Sequence, residues 1–478
     1  SWFNDSWQLR KSITIDATKV SSGPHTDFPV LVNLSSDASL AANAQTDGDD
    51  ILFTSSGGAT QLKHEIETYT SGGTLTAWVK VTSLPSSTDT VLFMYYGNGS
   101  ATSQQDATGV WDSNYKAVYH LKETSGTSVA DSTSNANNGT KTAATEPNPV
   151  TGQISGAQDF DGTNDIIQIA DAASLDITGA GTIEAWIRRD VSGAWHSIVA
   201  KGNTSTDAAH NYTFEIEDTA GGNQLSGGLG NGTTGQLYGA ATAIGTGAFR
   251  QVAFTWPGTN PGTARLYLNG AQDATGSETI VPAGNASPLF FGRWGAGSDF
   301  FNGVMDEVRI SNIARATGWI LTEYNNQNSP STFYAVGTAT VQQPTVTTGS
   351  ATNVTTSSAT LNGTVNAHGT STTALFQFGV NSGIYTGTSS TTSISTDGTT
   401  TVSIGISSLL ASTTHFYRIA ANNSAGTSTG SEASFTTSTS APPPPPPPRA
   451  TLTINSTSPT NGATGVAVNT TVSATFSL

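Results

Sequence analysis

The segment His64-Glu65-Ile66-Glu67 sets an imidazole beside two carboxyl groups. Zinc proteases use His-Glu-x-x-His, in which two imidazoles one helical turn apart share a metal ion. Position 68 is Thr and the flanking residues alternate as in a strand, so the expectation is a partly exposed strand with solvated polar side chains. Glu215-Ile216-Glu217-Asp218 offers carboxyl groups at i and i+2, on one face of a strand. Retaining glycosidases hold two carboxyl groups about 5–5.5 Å apart. The next acidic residue of the alternating glucanase pattern is missing here, so ordinary surface carboxylates are expected. Asp306 and Glu307 are adjacent, and neighbours on a strand point to opposite faces. No Gly-x-Ser-x-Gly turn precedes a predicted helix, which argues against a serine nucleophile elbow. The expectation is a chain without catalytic residues.

The elements that would carry these residues are strands. Ser12–Asp16 and Ala77–Val81 alternate in period two, and Val91–Tyr96 runs into the turn signal Gly97-Asn98-Gly99. With 51 Gly and abundant Ser and Thr, the 478 residues read as short strands joined by many turns, an all-β chain of β-sandwich domains in series. The 18 Lys+Arg against 34 Asp+Glu leave a formal charge of −16, which excludes a phosphate-binding surface and so nucleic acid. The same charge is repelled by an anionic membrane. No run of about 18 apolar residues occurs, so no membrane insertion is expected. Zero Cys excludes disulfides and thiolate zinc sites. The sequence starts at Ser1 rather than Met, and the expectation is an extracellular or cell-surface protein exported through a cleaved signal peptide.

Residues 1–116 carry Trp7, Arg10, Ile13-Thr14-Ile15, Asp27-Phe28-Pro29-Val30-Leu31-Val32, Asp47-Gly48-Asp49-Asp50-Ile51-Leu52-Phe53, Ala77-Trp78-Val79-Lys80-Val81 and Tyr95-Tyr96-Gly97-Asn98. This series resembles the DUF2341 family, a β domain of exported proteins whose function is undefined. The resemblance implies a location and an architecture, and no chemistry. The acidic turn at Asp47–Asp50 is a weak cation candidate, because it lacks the spacing of an EF-hand loop.

Residues 117–337 carry Ala117-Val118-Tyr119-His120-Leu121, Phe160-Asp161-Gly162, Thr182-Ile183-Glu184-Ala185-Trp186-Ile187, Gln251–Trp256, Arg265-Leu266-Tyr267-Leu268-Asn269-Gly270 and Gly303–Ile310. This series is similar to the laminin-G-like, concanavalin A-type jelly roll. The resemblance implies two stacked curved sheets, often one structural Ca²⁺, and sometimes glycan binding. On those motifs the metal candidates are Asp161, Asp165 and Asp306, with calcium as the only cofactor implied. Glycan sites stack sugars on exposed aromatic rings. Trp195 and Trp294 stand near Gly-rich stretches and are the glycan-binding candidates, whereas Trp186 and Trp256 sit in core-like motifs. A short helix is expected within residues 312–325.

Residues 343–438 alternate cleanly and are similar to bacterial fibronectin type III modules, with Tyr417 at the position where a tyrosine commonly packs at a corner. Residues 439–449 hold the proline run Pro442–Pro448, a stiff polyproline II linker. Residues 450–478 resemble the opening of a bacterial Ig-like domain, a stretch shorter than the roughly 40 residues that independent folding needs. The leading expectation is a non-catalytic extracellular structural and adhesive protein. It would assemble with copies of itself into a filament or sheath and present a lectin-like jelly roll to surface glycans. The alternative is a glycan-binding accessory region of a larger secreted or surface-anchored carbohydrate-active protein.

Overall fold

The computed structural model describes residues 1–142, 145–218, 222–295, 297–440 and 442–477. Strands dominate, as the alternation predicts, and all the ladders pair antiparallel. The chain builds three β-sandwiches. In the first, Leu9–Ile15 and Thr90–Tyr96 lie at the centre of a six-stranded sheet. A three-stranded sheet of His25–Leu34, Thr74–Leu84 and His64–Thr70 faces it. Phe28, Val30, Ile51, Phe53, Val79 and Met94 fill the space between.

The first sandwich is finished by residues from far along the chain. Tyr334–Val336 and Thr340–Val341 both pair with Leu9–Ile15, and Phe333 and Ile320 are buried in the same core. The helix Thr317–Asn328 lies against the edge strand His25–Leu34. Its Asn326 amide accepts from the Leu31 N–H at 2.7 Å and donates to the Leu31 carbonyl at 3.0 Å, standing in for a neighbouring strand. Residues 330–341 therefore pack with the first sandwich, although the sequence groups residues up to 337 with the jelly roll. The helix runs from Thr317 to Asn328, a little later than the expected 312–325.

The second sandwich stacks two eight-stranded sheets. One runs in the order Gly235–Ala243, Gln224–Gly230, Tyr212–Glu217, His196–Lys201, Leu289–Phe291, Ile167–Ile169, Gly139–Lys141, Ser128–Val129. The other is centred on Asn302–Ser311 and Gly181–Arg189. Alternation decides what each face holds. Tyr212, Phe214 and Ile216 point into the core, and Thr213, Glu215 and Glu217 point out. Trp256 lies in this core. Trp186 is equally buried but faces the helix, donating to Gln327 Oε1 at 2.6 Å and stacking on Tyr324.

The two sandwiches share a seam. Val118, Ile154, Ala253 and Tyr267 of the jelly roll belong to the core cluster of the first sandwich. Residues 345–436 form the third sandwich, a three-stranded sheet on a six-stranded one with Leu361, Phe376, Tyr417 and Ile419 inside. The Tyr417 hydroxyl donates to the Gly349 carbonyl at 2.6 Å, across to a distant part of the chain rather than to a carbonyl a few residues upstream. Thr453–Ser458 and Ser473–Ser477 close a hairpin whose side chains are almost all exposed.

Candidate functional site

Trp195 and Trp294 come together. Both line a cleft of about 280 Å³ on the outer face of the jelly-roll sheet, with Asp207, Glu215, Leu237 and Asp299. Trp195 stands just before the strand His196–Lys201. Trp294 sits on a tight loop closed by its own N–H to the Ser298 carbonyl at 2.9 Å. That loop approaches the Thr204 segment so closely that a Cβ on Gly295, at φ +51°, would lie 2.1 Å from the Thr204 carbonyl oxygen. A side chain there would push Trp294 out of place. Beneath Trp294 lies His210, ring centroids 5.0 Å apart and planes 19° from parallel. The His210 Nδ1 and the Thr206 carbonyl, 3.0 Å apart, fix the imidazole.

Glu215 forms the floor. Its strand neighbours in register are Ser197 on one side and Ser226 on the other, so the three side chains share the outward face. The face is not open to water: Glu215 is 2% exposed because the loops carrying Asp207 and Asp299 fold over it. Burial pushes its carboxyl up to about 8, against a hydrogen bond from Thr213 that opposes the shift, and Asp207, Asp299 and Glu217 add to the rise. The hydroxyls of Ser197 and Ser226, His210 Nε2 and the Trp294 indole N–H are buried without a hydrogen-bond partner. Two partly buried indoles beside a neutral carboxyl group suit a ligand that has both apolar faces and hydroxyls.

The calcium candidates do not converge. Asp161 Oδ1 accepts from the Thr163 and Asn164 N–H groups, and Asp165 Oδ2 accepts from the Asp161 N–H at 2.8 Å, which makes this pair a braced turn. Asp161 pairs with Asn302, so Asp306 lies four residues away along the neighbouring strand, about 13 Å at 3.3 Å per residue. Asp306 is fully buried at the seam, accepting from the Ile154 N–H. These residues do not fit one calcium shell. At the acidic turn, Asp50 accepts from the backbone N–H groups of Gln45, Gly97 and Asn98 and holds the turn itself.

Two further readings change. His64, Glu65 and Glu67 are buried, not solvated: His64 packs inward against Phe53 of the facing sheet, and the jelly roll covers Glu65 and Glu67. Asp306 and Glu307 do not diverge as strand neighbours should. A bulge sits opposite Glu184–Trp186, with Glu307 at φ +51°, and it turns both carboxyl groups into the seam. Sequence reasoning missed Glu215 as a site residue. Its outward parity was legible, but nothing local announces the two loops that bury it.

Residues 47–140 match the model of a domain of unknown function, DUF2341. Residues 161–321 match that of the concanavalin A-like lectin/glucanases superfamily. The chain carries a DUF2341 region followed by a concanavalin A-like jelly roll. No curated protein matches it. Solved structures similar to it include the binding domain of Paraclostridial Mosquitocidal Protein 1, at 15% identity and a TM-score of 0.37, over 44% of this chain and 52% of that one. Domain 4 of AbnA, an extracellular arabinanase from Geobacillus stearothermophilus, in complex with arabinotriose, is 18% identical with a TM-score of 0.35, over 44% of this chain and 98% of that one. The CBM40 of the Ruminococcus gnavus IT-sialidase, bound to α2,3 sialyllactose, is 16% identical with a TM-score of 0.30, over 35% of this chain and 96% of that one. The chain spans about half the length of the first of these structures. The concanavalin A-like region holds Trp195, Glu215 and Trp294.

Proposed function

We propose that this chain is an extracellular, non-catalytic glycan-binding region, with the Trp195–Trp294 cleft as its sugar site. The observation that carries the reading is the placement of two partly buried indoles in one cleft with the buried, proton-holding Glu215. Sugar rings present C–H faces that stack on indole and hydroxyls that exchange hydrogen bonds with a neutral carboxyl group. A protonated Glu215 is also what a general acid would need, so hydrolysis is the competing chemistry. A glycan array probed with the full chain, followed by a reducing-end assay on each glycan retained, tests both. Binding that weakens in Trp294→Ala, with no sugar released, is expected. An array without signal overturns the reading, and released sugar overturns its non-catalytic part.

A second reading, assembly of copies into a filament, draws on the C-terminal hairpin. Ile454 and Phe476 are cross-strand partners and both are more than half exposed, as are Leu452 and Val472. A two-stranded hairpin is marginal in water without a covering surface, and a second copy of the chain would supply one. Sedimentation across a concentration series tests this. Growth of the assembly that Phe476→Ser abolishes supports it, and a monomer throughout removes it.

A further inference from the structure

The seam between the first sandwich and the jelly roll gathers buried ligand atoms from distant parts of the chain. Glu67 comes from the first sandwich, Glu307 from the central jelly-roll strand, and His120 from the residue after the strand Tyr115–Tyr119. One ligand atom from each lies within 4.8 Å of the other two. His120 Nδ1 is 2.6 Å from Glu307 Oε1 and 3.6 Å from Glu67 Oε2. Its other nitrogen, Nε2, is 3.3 Å from Glu65 Oε2.

The surrounding groups orient these atoms. Glu65 is fixed by the Ser132 hydroxyl at 2.6 Å and the Trp111 indole at 2.9 Å, which hold its Oε2 beside Nε2. Nδ1 thus faces both carboxyl groups, and a divalent ion there would replace the proton that it shares with Glu307. Arg309 donates to Glu307 Oε2 at 2.7 Å, leaving Oε1 for His120. Trp78 donates to Glu67 Oε2 at 3.0 Å, while Glu67 Oε1 has no partner. Beside them Asp306 spends Oδ2 on the Ile154 N–H, and its Oδ1 is buried without a partner. Lys122 lies nearby, but its ammonium donates to the Glu67 carbonyl at 2.6 Å. A buried imidazole whose second nitrogen meets a carboxylate is the arrangement that steadies a metal-bound histidine.

We infer that this seam is a divalent transition-metal site, with His120 Nδ1, Glu307 and Glu67 as ligands and Glu65 orienting the imidazole. One nitrogen with carboxylate oxygens suits Zn²⁺ or Mn²⁺ and is a poor match for Ca²⁺, which takes oxygen alone. The ion staples the two sandwiches, because its ligands come from both. Burial of all the donors means that it enters during folding.

The test uses the full chain, refolded with Zn²⁺, Mn²⁺ or Co²⁺ and passed through gel filtration. Elemental analysis should find about one equivalent per chain, and the refolded Co²⁺ form should show visible ligand-field bands. His120→Gln and Glu67→Gln should each retain less than about a tenth of an equivalent, while Asp397→Asn in the third sandwich keeps it. If either seam variant fails to fold, the metal content and Co²⁺ spectrum of the unmodified chain decide. A chain that refolds fully and retains less than about a tenth of an equivalent of all three ions, with a melting temperature indifferent to them, overturns the inference. The seam is then an ionic network held together by shared protons.

Discussion

The imidazole of His210 lies flat beneath the indole of Trp294, 5.0 Å between centroids. The pair comes from two loops about eighty residues apart, and it sets the angle at which Trp294 faces the cleft. Truncating Trp294 or Trp195 to Ala should weaken glycan binding by roughly tenfold each, the scale of one lost aromatic contact. His210→Ala should weaken it less, because it loosens the platform without removing it. Isothermal titration against the strongest array hit measures all three, and unchanged affinity in both tryptophan variants would discard the cleft as the sugar site.

Glu215 makes stability depend on pH in a defined direction. Its folded carboxyl holds a proton up to about 8, whereas the unfolded chain releases it near 4.5. Between those values the folded state binds more protons, so stability falls as pH rises through the window. Glu215→Gln keeps the neutral shape and removes the titration. The melting temperature of the variant should gain on that of the parent steadily from about pH 5 to about pH 9. A constant difference would mean that the carboxyl group is ionised throughout.

Arg309 is buried between Glu307 and Glu323 and lies over Trp78 and Trp111 at 4.4 and 4.9 Å. Arg309→Ala removes the guanidinium that Glu307 and Glu323 share and leaves Glu307 with His120 alone, a loss of about 3–5 kcal/mol. Urea unfolding followed by tryptophan fluorescence should show it. Calorimetry should show the first two sandwiches melting together, before or after the third but not separately from each other, because the seam shares one core cluster.

Asn326 satisfies both backbone groups of Leu31 on an otherwise unpaired strand edge. Asn326→Ala should destabilise the first sandwich by about 2–4 kcal/mol, since two buried polar groups lose their partner. By the same logic a fragment of residues 1–116 should not fold alone, lacking Asn326, Phe333 and the strand Tyr334–Val336. A dispersed, sharply melting fragment would contradict this.

The candidate site was legible in part. Trp195 and Trp294 stood out as aromatics near Gly-rich turns, and the structure brings them to one cleft. Glu215 read as a surface carboxylate, because the pleat assigns it outward and the loops that cover it are set by distant residues. Asp306 and Glu307 read as diverging, because alternation holds only where the ladder is regular, and the bulge at Glu307 breaks it.

Alternation, turn residues and motif order were enough to establish from the sequence alone an all-β chain of sandwiches with a DUF2341 region ahead of a concanavalin A-like one. Those signals are local: they follow from the sterics of neighbouring residues and from side chains pointing alternately to two faces. Tertiary structure decided which outward faces stay wet. The strip bearing Glu65 and Glu67 is closed by the jelly roll, and the floor at Glu215 is closed by two loops. Whether a polar face meets water or another sheet depends on segments up to three hundred residues away. No local pattern carries that information.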